Sequence, residues 1–564
     1  MWSQVYNPFD NAVLSTLVAS IPVVAMLVML AFLHVKAHWA ALISLAFALT
    51  IAVIGFTMPA DMALRAAFLG FLSGFFPIGW IILNVIFLYR LCVDKGALTI
   101  VQDSLGAVTP DRRLQLLLIA FSFGAFFEGA AGFGTPVAVT GAILIGLGFS
   151  PLAASGLALI ANTAPVAFGA LGTPIVTLAA VMKLTDNVDH DAIMLGAMVG
   201  RQLPLFSFIV PFWLIYAFAG WRGMMGVWPA ILVCGISFAV PQFVISNYHG
   251  PWLVDVGAAL CSMAALVAFL KVWQPKEIWH SPKLRGHVDH SHVNPDQELP
   301  VVTPKAASRN QLIGAWTPWI ILCLFVLVWG TQTFKDIVNP FFLPKWPIDG
   351  LNNLIQKVPP VVPAPAKEGA VFAFNILTMS GTAILLAAIV SGIVMKYSPV
   401  KLVKEYVRTL WVVRYSLITI SAMLALGTVT RYSGLDATLG LAFAHSAFFY
   451  PFFGTMLGWL GVALTGSDTA SNVLFGGLQK VSAQQLGLSA VLMGAANSSG
   501  GVMGKMIDAQ SIVVASTATG WYGHEGDILR YVFKHSILLA ALVGVLVMLQ
   551  AYVWPFTEMV LKVN

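Results

Sequence analysis

Glu128-Gly129-Ala130-Ala131-Gly132-Phe133-Gly134-Thr135-Pro136 and Thr465-Gly466-Ser467-Asp468-Thr469-Ala470-Ser471-Asn472 stand in opposite halves of the chain and follow one plan. Each sets an acid among small residues. Some thirty residues on, each is followed by an Asn with a Gly seven positions later: Asn162-Thr163-Ala164-Pro165 leads to Gly169, and Asn497-Ser498-Ser499-Gly500 leads to Gly504. The intervening stretches are almost wholly apolar. Gly129, Gly132, Gly134 and Pro136 interrupt a helix. At membrane depth an interrupted helix leaves free N–H and C=O groups, tolerated only where protein or a water-filled cavity satisfies them. A glycine-broken polar element repeated in an apolar chain marks the centre of a secondary transporter.

Composition sets the environment. The 564 residues are 59% hydrophobic and 10% charged, with a mean hydropathy of +0.85; a soluble domain carries about 25% charged residues. Apolar runs of about twenty residues recur, which reads as helical spans rather than the alternating segments of a β-barrel. The expected fold is therefore an all-α polytopic membrane protein, an inverted-repeat transporter with about 12–16 membrane segments including broken helices or re-entrant hairpins. Its formal charge of +6 suits basic loops beside lipid; no basic patch interleaved with aromatics suggests nucleic acid. The four cysteines are scattered without metal-ligand or disulfide spacing. The first apolar run, about 13–33, is longer than a signal-peptide core and reads as a retained span.

The one long polar tract, 271–311, separates an N-terminal membrane half (1–270, repeat core 114–182) from a C-terminal half (312–564, repeat core 450–520). A second loop, about 333–370, is rich in proline. Lys and Arg concentrate in the 271–311 tract, around 90–113 and in 396–414, which the positive-inside rule places in the cytoplasm. The N-terminus and the Pro-rich loop then fall outside. Each interrupted core crosses an odd number of times, counted as three passes or broken passes. The helices that approach the two motifs run in opposite senses, so the copies are expected to be inverted.

Glu128, Asp468 and Asp508 are the acids that avoid loops and span ends. A charge at membrane depth costs about 2.5–3.5 kcal/mol on insertion scales and marks function by default. Burial favours the neutral acid, so Glu128 or Asp468 is expected to carry a coupling proton; the alternative is an acid that merely pins a hairpin. Gly132 and Gly134 open the backbone, and Thr135, Thr163, Ser467, Thr469 and Ser498 offer hydroxyls. Asn162 and Asn497 both donate and accept, which suits a carboxylate beside a hydroxyl. Lys505 either pairs a substrate carboxylate or is fixed to Asp508 or Asp468. Arg201 either attracts anions or lies at the interface. His445 either relays protons or is structural. His287, Asp289, His290 and His292 read as a solvated linker. A sodium-coupled carrier remains an alternative. A membrane-embedded enzyme is the rival of another class, but the chain shows no paired core histidines or other catalytic constellation.

Phe126-Phe127-Glu128-Gly129-Ala130-Ala131-Gly132-Phe133-Gly134, Asn162-Thr163-Ala164-Pro165-Val166-Ala167-Phe168-Gly169-Ala170, Gly200-Arg201-Gln202-Leu203-Pro204, Leu464-Thr465-Gly466-Ser467-Asp468-Thr469 and Gly504-Lys505-Met506-Ile507 carry a family likeness. The chain resembles the lactate permease family of bacterial inner-membrane carriers nearly end to end. The resemblance implies uptake of L-lactate, D-lactate or glycolate with H+ as coupling ion and no cofactor. It does not separate lactate from glycolate. The chain departs from the family pattern at Thr135, where Ala is expected, at Arg431, where a neutral residue is expected, and at Asp508-Ala509, where Ser-Pro is expected.

Overall fold

The computed structural model describes residues 1–564 apart from 32, 34, 131, 133, 134, 282, 283, 285–306, 363, 522, 523 and 562–564. Gly134 and the linker residues His287, Asp289, His290 and His292 lie outside the described residues, as do the side chains of Thr135 and His445. Helices carry the apolar segments. Among the described residues ten are long and apolar enough to cross a membrane, and one bent pair, Pro151–Ala161 with Val166–Met182, makes an eleventh.

The two cores share one order of elements. In the first, α1 (Arg112–Ala130) is followed by a break, α2 (Thr135–Gly146), a tight turn, α3 (Pro151–Ala161), a second break and α4 (Gly169–Met182). In the second, α5 (Tyr450–Thr465), α6 (Asp468–Gln485), α7 (Ala490–Gly504) and α8 (Ala509–Ala518) repeat that order. The turns match in detail. Leu147-Gly148-Phe149-Ser150 and Leu486-Gly487-Leu488-Ser489 each put Gly at positive φ (88° and 66°), where a Cβ would be strained. Each then uses Ser as an N-cap, accepting from Ala153 N–H and Leu492 N–H respectively.

α1 and α2 fold back on one another: the Arg112 guanidinium at the start of α1 donates to the Leu147 carbonyl just beyond the end of α2. α5 and α6 do the same, with Gln479 Nε2 on Gly454 O at 2.7 Å and Ser471 Oγ on Gly458 O at 3.1 Å. Each core thus opens with a hairpin, and in the first core a bent pair follows it. The physical reason is the break itself: small residues at the tip let the chain reverse where an unbroken helix would carry on. The tight turns lie beside different loops. Arg112 N–H bonds Trp279 O at 3.0 Å, which places the α2–α3 turn beside the polar tract. Gln485 Nε2 bonds Pro360 O at 2.9 Å, which places the α6–α7 turn beside the Pro-rich loop. A single helix, Arg309–Gly330, separates those two regions.

Packing crosses the polar tract. α6 lies along α4, with Asn472 Nδ2 on Pro174 O (3.2 Å) and Lys480 Nζ on Met182 O (2.8 Å). Reciprocally, α2 packs on α8. Helix Pro399–Ser433 absorbs the basic stretch around 401–414 into its first turns instead of leaving it as a loop, and rests on Ala60–Ser73 and Ala37–Thr50. The Pro-rich loop is stitched by short strands. Trp2–Ser3 pairs with Ile355–Lys357, which pairs with Ala366–Glu368; Lys345–Pro347 pairs with Val371–Ala373. Arg201 is tied into the fold. It holds Asn247 Oδ1 and the Met559 carbonyl, both at 2.9 Å.

Candidate functional site

The tips of both hairpins and the breaks of both passages meet at one cavity of about 80 Å³. Glu128 and Gly132 enter from the first tip and Gly466, Ser467, Asp468 and Thr469 from the second. Gly169, Ala170 and Thr173 come from the α3–α4 break, and Lys505 from the α7–α8 break. All three ionisable lining residues are buried. Six of the sequence-derived candidates therefore converge: Glu128, Gly132, Ser467, Asp468, Thr469 and Lys505.

α6 begins at Asp468. Ser467 caps it, its Oγ accepting from Ala470 N–H at 3.3 Å. Asp468 Oδ2 accepts from Ser498 Oγ at 2.5 Å and from Asn472 Nδ2 at 3.3 Å, while Oδ1 has no donor. Gly501 is required beside it, because a Cβ there would press on Asp468 Oδ1 and Val462. Behind the acid runs a closed relay. Asn497 Nδ2 donates to Asn472 Oδ1 (2.9 Å), Gln479 Nε2 to Asn497 Oδ1 (3.1 Å) and Tyr450 OH to Gln479 Oε1 (2.8 Å). Asn497 and Ser498 thus stand behind Asp468 and do not line the cavity. Glycines permit this: a Cβ on Gly458 or Gly500 would collide with the Asn497 or Thr455 carbonyl, so α5 and α7 cross in direct backbone contact.

Lys505 pairs with Asp508, Nζ to Oδ2 at 3.4 Å, and donates to Gly466 O at 2.6 Å. Asp508 also caps α8, accepting from Ser511 N–H at 2.7 Å. Of the partners open to it in the sequence, the lysine takes Asp508 while keeping a face on the cavity.

The first half is arranged differently. Glu128 Oε2 is buried without a donor. Asn162 stands beside Glu128 and does not line the cavity. The Thr163 hydroxyl turns back to Ile160 O at 2.8 Å. The turn carrying His445, Ala444–Phe449, precedes α5 and so lies a helix length, roughly 24 Å, from the α5–α6 tip.

Several features escaped the motifs. Ala170, Leu171 and Gly172 adopt positive φ (42°, 54° and 77°), a left-handed step that re-aims the chain before α4. It leaves the start of α4 facing the cavity beside the start of α6. Two parallel helices thus present their positive ends to one space. Asp255, at the head of helix Val254–Val272, is buried next to Glu128. In the sequence it reads as a span-end acid like many others.

Comparison with known proteins agrees with this architecture. The model of the L-lactate permease family matches residues 15–554. Glycolate permease GlcA of Escherichia coli K12 is 47% identical over all of both chains. The L-lactate permeases of Salmonella typhi and Bacillus subtilis are 43% and 42% identical, each over 98% of this chain and 98% and 99% of theirs. A multi-pass helical chain whose two broken cores meet at an acid-lined cavity, and which these relatives match from end to end, belongs to the L-lactate permease family.

Proposed function

We propose that this protein is a proton-coupled symporter that brings L-lactate and related short 2-hydroxymonocarboxylates, D-lactate and glycolate, across the bacterial inner membrane. The observation that carries the reading is the cavity itself, where one acid from each half, one lysine and the starts of two helices converge. The helix starts and Lys505 offer positive potential and N–H donors to a carboxylate. Ser467, Thr469 and Thr173 add hydroxyls for a 2-hydroxyl group.

The charges then demand protons. Glu128, Asp468 and Asp508 together outnumber Lys505, so an anion enters a site that repels it while the acids are ionised. Protonating Glu128 or Asp468 removes that repulsion, and anion and proton bind as a neutral pair. The membrane potential does not oppose a neutral load. The named activities of the relatives, L-lactate and glycolate permease, supply the substrate class. The matched order of elements, the turns beside different loops and the reciprocal packing of α2 on α8 and α6 on α4 support reading the cores as an inverted repeat. Such a repeat supplies two related conformations for alternating access. Loop charges support a cytoplasmic polar tract and a periplasmic N-terminus.

The test is labelled L-lactate uptake into sealed proteoliposomes driven only by an inward proton gradient, with wild type, Glu128→Gln and Asp468→Asn side by side. Accumulation that collapses with a protonophore is expected. The variant that loses accumulation but keeps lactate exchange carries the proton. Uptake that ignores the proton gradient and follows Na+ would overturn the coupling.

A further inference from the structure

The second acid, Asp468, is wired to Ser498 and Asn472, but the first is not wired to protein donors in the same way. Around Glu128 the structure gathers buried carboxyl oxygens without a donor, Glu128 Oε2 and both Asp255 oxygens, with Asn162 beside them. Asp255 is 1% exposed and Asn162 2%. Gly129 keeps the two acids together. A Cβ there would lie 2.8 Å from Asp255 Cβ and 3.0 Å from Val256 N, so the hairpin tip is pressed against the head of helix Val254–Val272.

The charges facing Asp255 are few. Its helix packs on Trp228–Tyr248, α1 and α4. Trp228–Tyr248 and α4 contain no Asp, Glu, Lys, Arg or His. On α1 the arginines Arg112 and Arg113 sit at the far end beside the polar tract, as does Lys271 on the Asp255 helix itself. Glu128 is the charged group that acts on Asp255. Lys505 and Asp508 act on Glu128 from the other side, and Lys505 is already paired with Asp508. Two buried carboxyl groups with no cation of their own do not both ionise. They share a proton, and their titration belongs to the pair.

We propose that Asp255 and Glu128 hold one proton between them, so that the acid of the first hairpin works as a carboxyl pair with Asp255 as its positioning residue. The proposal rests on the proton-coupled reading and assigns a residue to it. Holding one proton lets the pair carry one negative charge without a cation of its own. Uptake of a second proton then neutralises it. Asn162 donates to whichever oxygen is left charged.

The test is an infrared titration of the purified protein in detergent, following the C=O stretch of protonated carboxyl groups as pH is raised from 5 to 9, in choline chloride and in sodium chloride. It uses no substrate, so it stands or falls separately from lactate uptake. In an Asp468→Asn background, which removes the other buried acid of the cavity, the band is expected to be lost in two steps. Asp255→Asn and Glu128→Gln are each expected to leave one step there, with its midpoint moved by about one pH unit or more. Asp255→Glu keeps two steps and controls for folding. Two variants that each delete their own component and leave the other's midpoint unmoved would show independent acids and overturn the pair. Loss of the band on adding Na+ at constant pH would show a cation held by the same oxygens and overturn it as well.

Discussion

Arg431 shows how a departure from a family pattern acquires a reason only in three dimensions. In the sequence it is an unexpected charge before Tyr432-Ser433-Gly434. In the fold its guanidinium meets Glu368 Oε2 at 2.7 Å, and Lys357 pairs with the same carboxylate from the neighbouring strand. Burial alone would push Glu368 up, but Arg431 and Lys357 outweigh it and hold the acid at about 2, against an ordinary 4.5. A depressed carboxylate stabilises the fold above its unfolded value and loses that contribution as pH falls through the folded one. Glu368→Gln is therefore expected to cost about 3 kcal/mol near neutral pH. The readout is a lower midpoint of thermal unfolding in detergent, and the gap to wild type is expected to close as pH falls from about 4.5 towards 2. A gap that does not change with pH would mean the triad contributes packing rather than charge. Legibility at this scale followed local oddity. Glu128, Asp468 and Lys505 stood out because a charge among small residues in an apolar run is rare. Asp255 did not, because an acid at the head of a span looks like an ordinary boundary until Gly129 brings Glu128 against it.

At the scale of elements, the breaks were written in glycine and proline, and the helices do part there. The sense in which the chain leaves each break was not written locally. The return of α2 shows in Arg112 meeting the Leu147 carbonyl, a contact between residues 35 apart. The matched turns, Gly148-Phe149-Ser150 and Gly487-Leu488-Ser489, signal hairpins in both halves but stay hidden because they carry no polar motif. The backbone contact between α5 and α7 was equally hidden. Gly458, Gly461, Gly500, Gly501 and Gly504 lie inside helices and serve close approach. Gly458→Val is expected to separate α5 from α7 at the Asn497 carbonyl, costing about 1–3 kcal/mol as overpacking. It also draws Asn497 away from Asn472, and with it the support of Asp468. Expressed variant that unfolds earlier and loses lactate exchange, with Gly458→Ala intermediate in both, is the expected outcome. Normal exchange in Gly458→Val would mean the crossing is not needed to position Asp468.

The whole molecule tests the relation between the halves. If the cores are inverted copies, the α2–α3 and α6–α7 turns open to opposite sides of the membrane, and the hairpin that opens each core brings both broken tips to mid-depth. The alternative, copies in the same orientation, would put both turns on one side. The contacts already constrain this: one turn lies against the segment around Trp279, the other against Pro360, and helix Arg309–Gly330 runs between those regions. Single cysteines read the sides directly, in a background from which Cys92, Cys234, Cys261 and Cys323 have been replaced. Gly146→Cys adds a side chain where nothing lies within 4 Å, and Gln484 is already exposed. A membrane-impermeant maleimide added to right-side-out vesicles is expected to label Gln484→Cys and spare Gly146→Cys; inside-out vesicles are expected to reverse the pattern. Labelling of both from one side would defeat the inversion, and with it the account of how a single chain holds two conformations that exchange. Reversed labelling in both preparations would keep the inversion and turn the protein over, placing the basic polar tract outside against the charge rule.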